Sequence, residues 1–423
     1  MVGMLTITEE TRAYIRAHED GDVRDLALHA PRDGGVDLPF ALDQIAGRRM
    51  ARAKLPRWAA CDGIVYPPHL SMEQCSGGFA ADYKREVAAR LVASTPRERR
   101  RLMDLTGGFG VDFAAMAGLF AHATYVERQP SLCDIARHNL PLLGLPHAQV
   151  VEGDGLEALA ALPDGSLTMA FVDPARRDAH GSRTYAVADC TPDVLAARDL
   201  LLARARIVML KLSPMLDWRR AAEEFGDAVR EVHIVATGNE CKDLLLVLMR
   251  PDASQAPKHT QAGAAPRVFA VNDGQRIDFV HDATRATAPA PAAQSRPRAC
   301  LQPGGRLYEP NAAVMKAGCF DLLESRFGVR AVARNSHLFT SDRARPDFPG
   351  RGFVIDRVST MNNRQLREAM AGVERANVAV RNFPLTAPAL RRRLRVGDGG
   401  DVYLFATTDE AGRHLVLVTR KED

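Results

Sequence analysis

Residues 102–112 read Leu-Met-Asp-Leu-Thr-Gly-Gly-Phe-Gly-Val-Asp, and this stretch gathers the groups best able to hold a ligand. An apolar run reaches Asp104, breaks into Gly107, Gly108 and Gly110, and resumes as a helix-like run from Phe113 to Phe120. Glycines let a backbone approach a ligand closely, and a helix starting behind them offers free N–H groups. The pattern is Asp-x-x-x-Gly-x-Gly. A dinucleotide fingerprint counted from Gly108 would need glycine at Phe113, and no Gly-Lys-Ser/Thr follows for a phosphate loop. Polar groups also close later apolar runs. Glu127 precedes Arg128, Asp154 precedes Gly155, Asp173 opens Asp-Pro174-Ala175-Arg176-Arg177, and Lys211 lies between Leu210 and Leu212. One acid after a strand is ordinary, because Asp and Glu also cap the next helix. Three in succession behind a glycine loop describe a crevice whose carboxylates accept from hydroxyl and amino groups. Asp173 is suited to take a proton there, with Lys211 and Asn239-Glu240 as neighbours.

The elements that must position these groups alternate regularly. Strands are expected at 101–105, 123–127, 149–152, 167–172, 207–212, 231–236 and 244–249. Helices are expected at 111–121, 130–140, 155–161, 192–203 and 217–226. Alternation of this kind predicts an α/β fold with a parallel, doubly wound sheet of seven strands, and ligands in such sheets bind beyond the carboxyl ends of the strands. The last two strands are joined without room for a helix, so the final strand should run antiparallel. Residues 1–95 read as a helical region and 96–250 as the sheet domain. Residues 251–330 read as a small module with Pro/Ala-rich linkers at 251–266 and 282–298, and 331–423 as an α+β domain. Asn272-Asp273-Gly274 and Asp409 to Gly412 are hairpin turns.

A chain of 423 residues with 46% apolar content has ample material for more than one core. The net charge of +4 permits a nucleic-acid partner without demanding one. Seven cysteines without a Cys-x-x-Cys pair point away from zinc and disulfides and towards a reducing cytosol. Early charges speak against a signal peptide, and no apolar run approaches the roughly 18 residues of a membrane span. The expectation is a soluble, cytoplasmic protein with no metal and no membrane partner; the oligomeric state is left open.

The run Asp104 to Asp112, the Asp173-Pro-Ala-Arg176 segment and Tyr308 to Lys316 resemble class I S-adenosylmethionine (SAM) methyltransferases. Within that class they are similar to a bacterial group with a small ferredoxin-like module and a THUMP-like C-terminal domain. The resemblance runs from about residue 40 onward. It implies a Rossmann-like methyltransferase sheet and SAM as cofactor. The cofactor would be held by Asp104, Thr106, Gly107, Gly108, Phe109, Gly110, Glu127, Arg128, Asp154, Gly155 and Asp173. Catalysis would fall to Asp173, Pro174, Arg176 and Lys211. Asp173-Pro-Ala-Arg176 is similar to the Asp/Asn-Pro-Pro-x of methyltransferases acting on amino groups of nucleobases, with Ala175 and Arg176 in place of the second proline and the aromatic residue. THUMP domains deliver RNA, so a base of tRNA or rRNA is the implied acceptor. A protein or small-molecule acceptor, or a non-catalytic SAM-binding RNA protein, are the alternatives. Tyr83 and Lys84 are candidates for the pocket rim. Two basic clusters, Arg48 to Arg57 beside Trp58 and Arg391 to Arg395, are candidate RNA surfaces or plain solvated faces. Glu309-Pro-Asn311 and Asn335 to Thr340 are either binding surface or turn caps.

Overall fold

The computed structural model describes residues 7–29, 35–176, 187–250, 265–281 and 301–422. The chain divides into two compact units, Met1–Thr237 with Lys242–Arg267, and Gly238–Cys241 with Val268–Asp423.

The first unit opens with helices α1 (Glu9–Ala17), α2 (Val23–His29), α3 (Leu38–Lys54), α4 (Pro56–Ala59), α5 (His69–Gln74) and α6 (Gly78–Val92). Helix α3 starts where Asp37 accepts a hydrogen bond from the Phe40 amide at 3.2 Å, and stops at Leu55, ahead of Pro56. The alternating part supplies β1 (Arg101–Asp104), α7 (Val111–Ala117), β2 (His122–Glu127), α8 (Pro130–Leu142), β3 (Ala148–Glu152), α9 (Gly155–Ala160) and β4 (Leu167–Val172). A two-residue strand, β5 (Ala175–Arg176), pairs antiparallel with β6 (Cys190–Thr191). There follow α10 (Arg198–Arg204), β7 (Ala205–Leu212), α11 (Trp218–Phe225), β8 (Val229–Thr237) and β9 (Glu240–Met249). The helix expected from residue 192 begins at Arg198, because a bend and a turn following β6 occupy its first residues.

The strands of this unit follow the order β8-β9-β7-β4-β1-β2-β3. Strands β1, β2, β3, β4 and β7 are mutually parallel, and β9 runs antiparallel to β7, as the short connection before it requires. The chain lays β2 and β3 on one side of β1 and then returns to place β4 on the other. The switch point therefore lies between β1 and β4, the place where such sheets open a ligand crevice. Every residue of β4 is buried, as in a strand covered on both faces. Register fixes the rest: Val172 is level with Leu210, so Asp173 and Lys211 emerge side by side.

The second unit contains the hairpin β10 (Arg267–Asn272) and β11 (Gln275–Val280), turned by Asp273 and Gly274 with Asp273 at φ 50°. Its sheet has seven strands: β12 (Arg306–Pro310), β13 (Arg330–Ala331), β14 (Phe339–Ser341), β15 (Gly350–Thr360), β16 (Arg375–Arg381), β17 (Gly397–Thr408) and β18 (His414–Lys421). Their order is β13-β14-β12-β15-β18-β17-β16, over a core that includes Leu307, Phe353, Phe405 and Leu417. Among the described residues no helix is long and apolar enough to cross a membrane.

Candidate functional site

The turn after β1 is built on close approaches. The Gly107 amide donates to the Val126 carbonyl at 2.8 Å, and a Cβ on Gly107 would stand 2.2 Å from the Tyr125 ring. Gly108 and Gly110 take φ values of +55° and +85°, which L side chains rarely adopt. Gly110 caps α7. Phe109 points away from the turn into the core, against Trp58 at 4.6 Å between ring centroids. Two bonds brace the turn from below. Asp104 accepts from the Thr106 amide at 2.9 Å, and the Thr106 hydroxyl oxygen accepts from the Asp173 amide at 2.7 Å. The ends of β1 and β4 are thereby tied to one threonine.

Glu127 reaches across from β2. One carboxylate oxygen accepts from the Gly108 amide and the other from the Gln129 amide, both at 2.9 Å. Asp154 caps α9 through the amides of Leu156 and Glu157, while its second oxygen pairs with Arg128. Burial raises the Asp154 carboxyl, but those two amides and Arg128 outweigh it and hold it below the usual range. Gly155 sits so close to β1 that a Cβ would lie 2.1 Å from the Leu105 carbonyl oxygen. That atom is backbone and cannot swing aside. Gly155→Ala should therefore destabilise the protein by about 1–3 kcal/mol, the ordinary cost of overpacking, read as a shift in the urea unfolding midpoint.

Asp104 is 1% exposed, and burial pushes its carboxyl up to about 8, with Asp112, Asp173 and Glu127 adding to the rise. A native carboxyl above its unfolded value of about 3.9 holds its proton while the unfolded chain releases it. Its contribution to stability is therefore full below about pH 4 and is lost as pH rises towards 8. Asp104→Asn should flatten this part of the profile, and urea unfolding at pH 5 and pH 8 measures the difference.

Beyond β4 and β7 lies a chain of charges. Lys211 Nζ is 2.5 Å from Asp173 Oδ2 and 3.8 Å from Asp112 Oδ2. Lys84 Nζ lies 2.9 Å from Asp112 Oδ1, 2.6 Å from Asp243 Oδ2 and 2.9 Å from the Ser76 hydroxyl, which donates to Asp112 at 2.7 Å. Lys84, Asp112 and Asp243 are buried, whereas 36% of the Asp173 side chain stays exposed. Burial alone would lower the Lys211 ammonium, but Asp173, Asp112 and Asp243 outweigh it and raise it. Burial raises the Asp173 carboxyl, against the pull of Lys211. Burial likewise raises Asp112, yet Lys84 and Lys211 hold it below the ordinary range.

The sequence motifs single out none of Ser76, Asp112 and Asp243 for a role here. One signal was present: in α6 the buried positions Ala80, Ala81, Lys84, Val87 and Ala88 form a helical stripe with a lysine in it. Lys84 is thus no rim residue, and neither is Tyr83, which is buried with its hydroxyl 2.8 Å from His233 Nδ1. Pro174 is buried beside Asp173, and Arg176 pairs through its backbone with Cys190. Arg177 lies outside the described residues. Asn239 accepts from the Ala312 amide at 2.8 Å, within the second unit.

Trp58 is a core residue; Arg48 and Arg52 pair with Glu19, and Arg57 with Asp82. Lys54 is tied to the Met72 and Glu73 carbonyls. A cavity of about 480 Å³ beside these groups is lined by Pro56, Trp58, Phe79, Val111 and Ala114 among others. Glu309 is buried between Arg351 and Arg381, and Asn311 caps a helix through the Val314 amide, so both are structural. His337 stacks on Phe320 at 4.3 Å. In the second basic cluster Arg391 pairs with Asp398 at 2.6 Å, while Arg392, Arg393 and Arg395 are exposed.

The chain is similar to known proteins in sequence and fold. A ferredoxin-like domain family matches residues 307–349, and a THUMP domain-like family matches 350–421. A crystal structure from Porphyromonas gingivalis W83 that carries a methyltransferase assignment superposes with a TM-score of 0.80 at 30% identity, covering 99% of this chain and 100% of that one. An uncharacterised S-adenosylmethionine-dependent methyltransferase from Mycobacterium tuberculosis (strain ATCC 25618 / H37Rv) is 24% identical over 383 residues, 89% of this chain and 95% of its own.

Proposed function

Since the chain belongs to the class I methyltransferases that carry ferredoxin-like and THUMP-like domains, we propose that it uses S-adenosylmethionine to methylate a base of structured RNA, tRNA or rRNA. The Asp173–Lys211 pair at the switch-point crevice carries this reading, because it sets a proton acceptor beside a fixed cation where the acceptor base would enter.

The residues present fit the cofactor. Gly107 has no room for a side chain beside Tyr125, and Gly108 and Gly110 take positive φ, which together suit a backbone surface laid against a ligand. Glu127 would offer its carboxylate to the ribose hydroxyls, exchanging its bond to Gly108 for them. Asp154 and Gly155 would border the adenine, with Arg128 holding Asp154 in place. Asp104 acts through Thr106, fixing the turn. When bound, the cofactor supplies a methyl group activated by its sulfonium. The chain's own part is to orient the acceptor and to take its proton on Asp173.

RNA as the acceptor is supported by the THUMP-like match and by Arg392, Arg393 and Arg395 exposed on it. If these arginines meet phosphates, Arg392→Ala with Arg393→Ala should lower the salt slope of RNA binding by about 2, near 0.9 per lost contact. The direct test is transfer of labelled methyl from SAM into RNA taken from cells lacking the protein. Label in one RNA class is the expected result. No label in any RNA, with SAM bound, would move the acceptor to a protein or small molecule.

A further inference from the structure

From the Asp173–Lys211 pair we propose that the acceptor is a lactam nucleobase, guanine or uracil, recognised at its ring N–H and adjoining carbonyl. The inference rests on the RNA-base reading above and narrows it. Lys211 engages Asp173 Oδ2 and lies farther from Asp112, so of its three N–H donors at least one remains for a ligand. Among the described residues Asp173 Oδ1 has no hydrogen-bond partner, and the side chain is open to the crevice. The crevice therefore presents an acceptor and a cationic donor on neighbouring atoms. A lactam edge presents the complement, an N–H beside a C=O.

An adenine or cytosine edge would also satisfy this pair with an amino N–H and a ring nitrogen. The sign of the developing charge separates the two cases. When a lactam N–H gives its proton to Asp173 Oδ1, the N–H bond breaks and an O–H bond forms. The electron pair stays on the base, shared between the ring nitrogen and the carbonyl oxygen, and would form the new N–C bond as the methyl's bond to sulfur breaks, that pair leaving with the sulfur as S-adenosylhomocysteine. Lys211 then faces a developing oxyanion, the arrangement in which a preorganised cation is most effective. Asp173 later returns its proton to solvent. An exocyclic amino group instead gains positive charge as it attacks, and a fixed ammonium beside it works against that. Lys211 has no easy route to neutrality, because Asp173, Asp112 and Asp243 surround it with negative charge. The buried Lys84–Asp112–Asp243 group is thus a positioning device that holds the donor in place behind the crevice.

The test is calorimetric titration of the full chain, in the presence of S-adenosylhomocysteine, with GMP, UMP, AMP and CMP in turn. GMP and UMP should bind at least tenfold more tightly than AMP and CMP. Lys211→Met should abolish the preference, and Lys211→Arg, which keeps charge and donors, should retain it. A preference for AMP or CMP, or no binding of any of the four, would overturn the proposal. Nuclease digestion and mass spectrometry of methylated RNA should find the methyl on N1 of guanosine or N3 of uridine, the nitrogens that carry the lactam N–H; a methyl on guanosine N7 would overturn the proposal. A methyl on an amino group or a ribose hydroxyl would also overturn it. Absence of methyl from all RNA, with the GMP and UMP preference intact, would remove the RNA reading and leave the lactam pairing supported.

Discussion

Asp173→Asn is expected to lower the methyl-transfer rate by about 10²–10⁴, the usual contribution of a positioned acid or base, while SAM affinity stays close to that of the wild type. Asparagine keeps the shape of the side chain and a carbonyl oxygen for Lys211, so the crevice should persist. It has no basicity, so the proton of the acceptor has nowhere to go. The tie from Asp173 to Thr106 runs through the backbone amide and survives the change, which is why the cofactor loop should not notice it. The pH profile gives a second view. Burial raises the Asp173 carboxyl and Lys211 opposes it, so activity should fall on the acid side at a pH above that of an ordinary carboxylate. Lys211→Met removes the opposing charge and should move that limb further up. Single-turnover rates beside calorimetric SAM titration separate the two effects. Equal losses in rate and in SAM affinity would instead make Asp173 a part of the cofactor site.

Much of this site was legible because glycine and strand-end acids leave local signals. The breaks at Gly107, Gly108 and Gly110, and the polar residues closing β1, β2, β4 and β7, mark a crevice through alternation alone. Parallel order could be inferred as well, since each helix-length connection forces a crossover. What stayed hidden depends on partners far apart in sequence. The resemblance to RNA methyltransferases, whose matching stretch folds over the cofactor, puts Lys84 at the rim, whereas its burial follows from pairing, without which a lysine is almost never fully buried. Its partners Asp112 and Asp243 lie on α7 and β9, and nothing local to α6 announces them. For Glu309 the sequence leaves binding surface and turn cap both open for the same reason: its two arginines come from β15 and β16. β12 and β15, which fall in different matched families, pair within one sheet.

Lys84→Met should produce the largest loss of stability among single substitutions near the site. Lys84 is fully buried, with its ammonium within 3 Å of two carboxylates and a hydroxyl. Methionine fills similar space, so packing is nearly conserved and the electrostatic change dominates. Removing the cation leaves Asp112 and Asp243 in a low-dielectric interior, with the Ser76 hydroxyl and Lys211, 3.8 Å from Asp112, as compensation among the described residues. Breaking a buried pair in this way costs about 3–5 kcal/mol, which urea unfolding of the full chain would register directly. Adding Asp243→Asn to Lys84→Met should restore part of the loss, because it neutralises the acid farther from Lys211 in the chain of contacts. Recovery in the double variant would identify charge as the cause, whereas a cavity or a packing fault would leave the two losses additive. A Lys84→Met protein within about 0.5 kcal/mol of the wild type, the range of an ordinary surface change, would mean that the acids are held neutral and need no lysine. In that case the cationic state of Lys211 would lose its support from below, and the pairing of Lys211 with a developing oxyanion would have to stand on Asp173 alone.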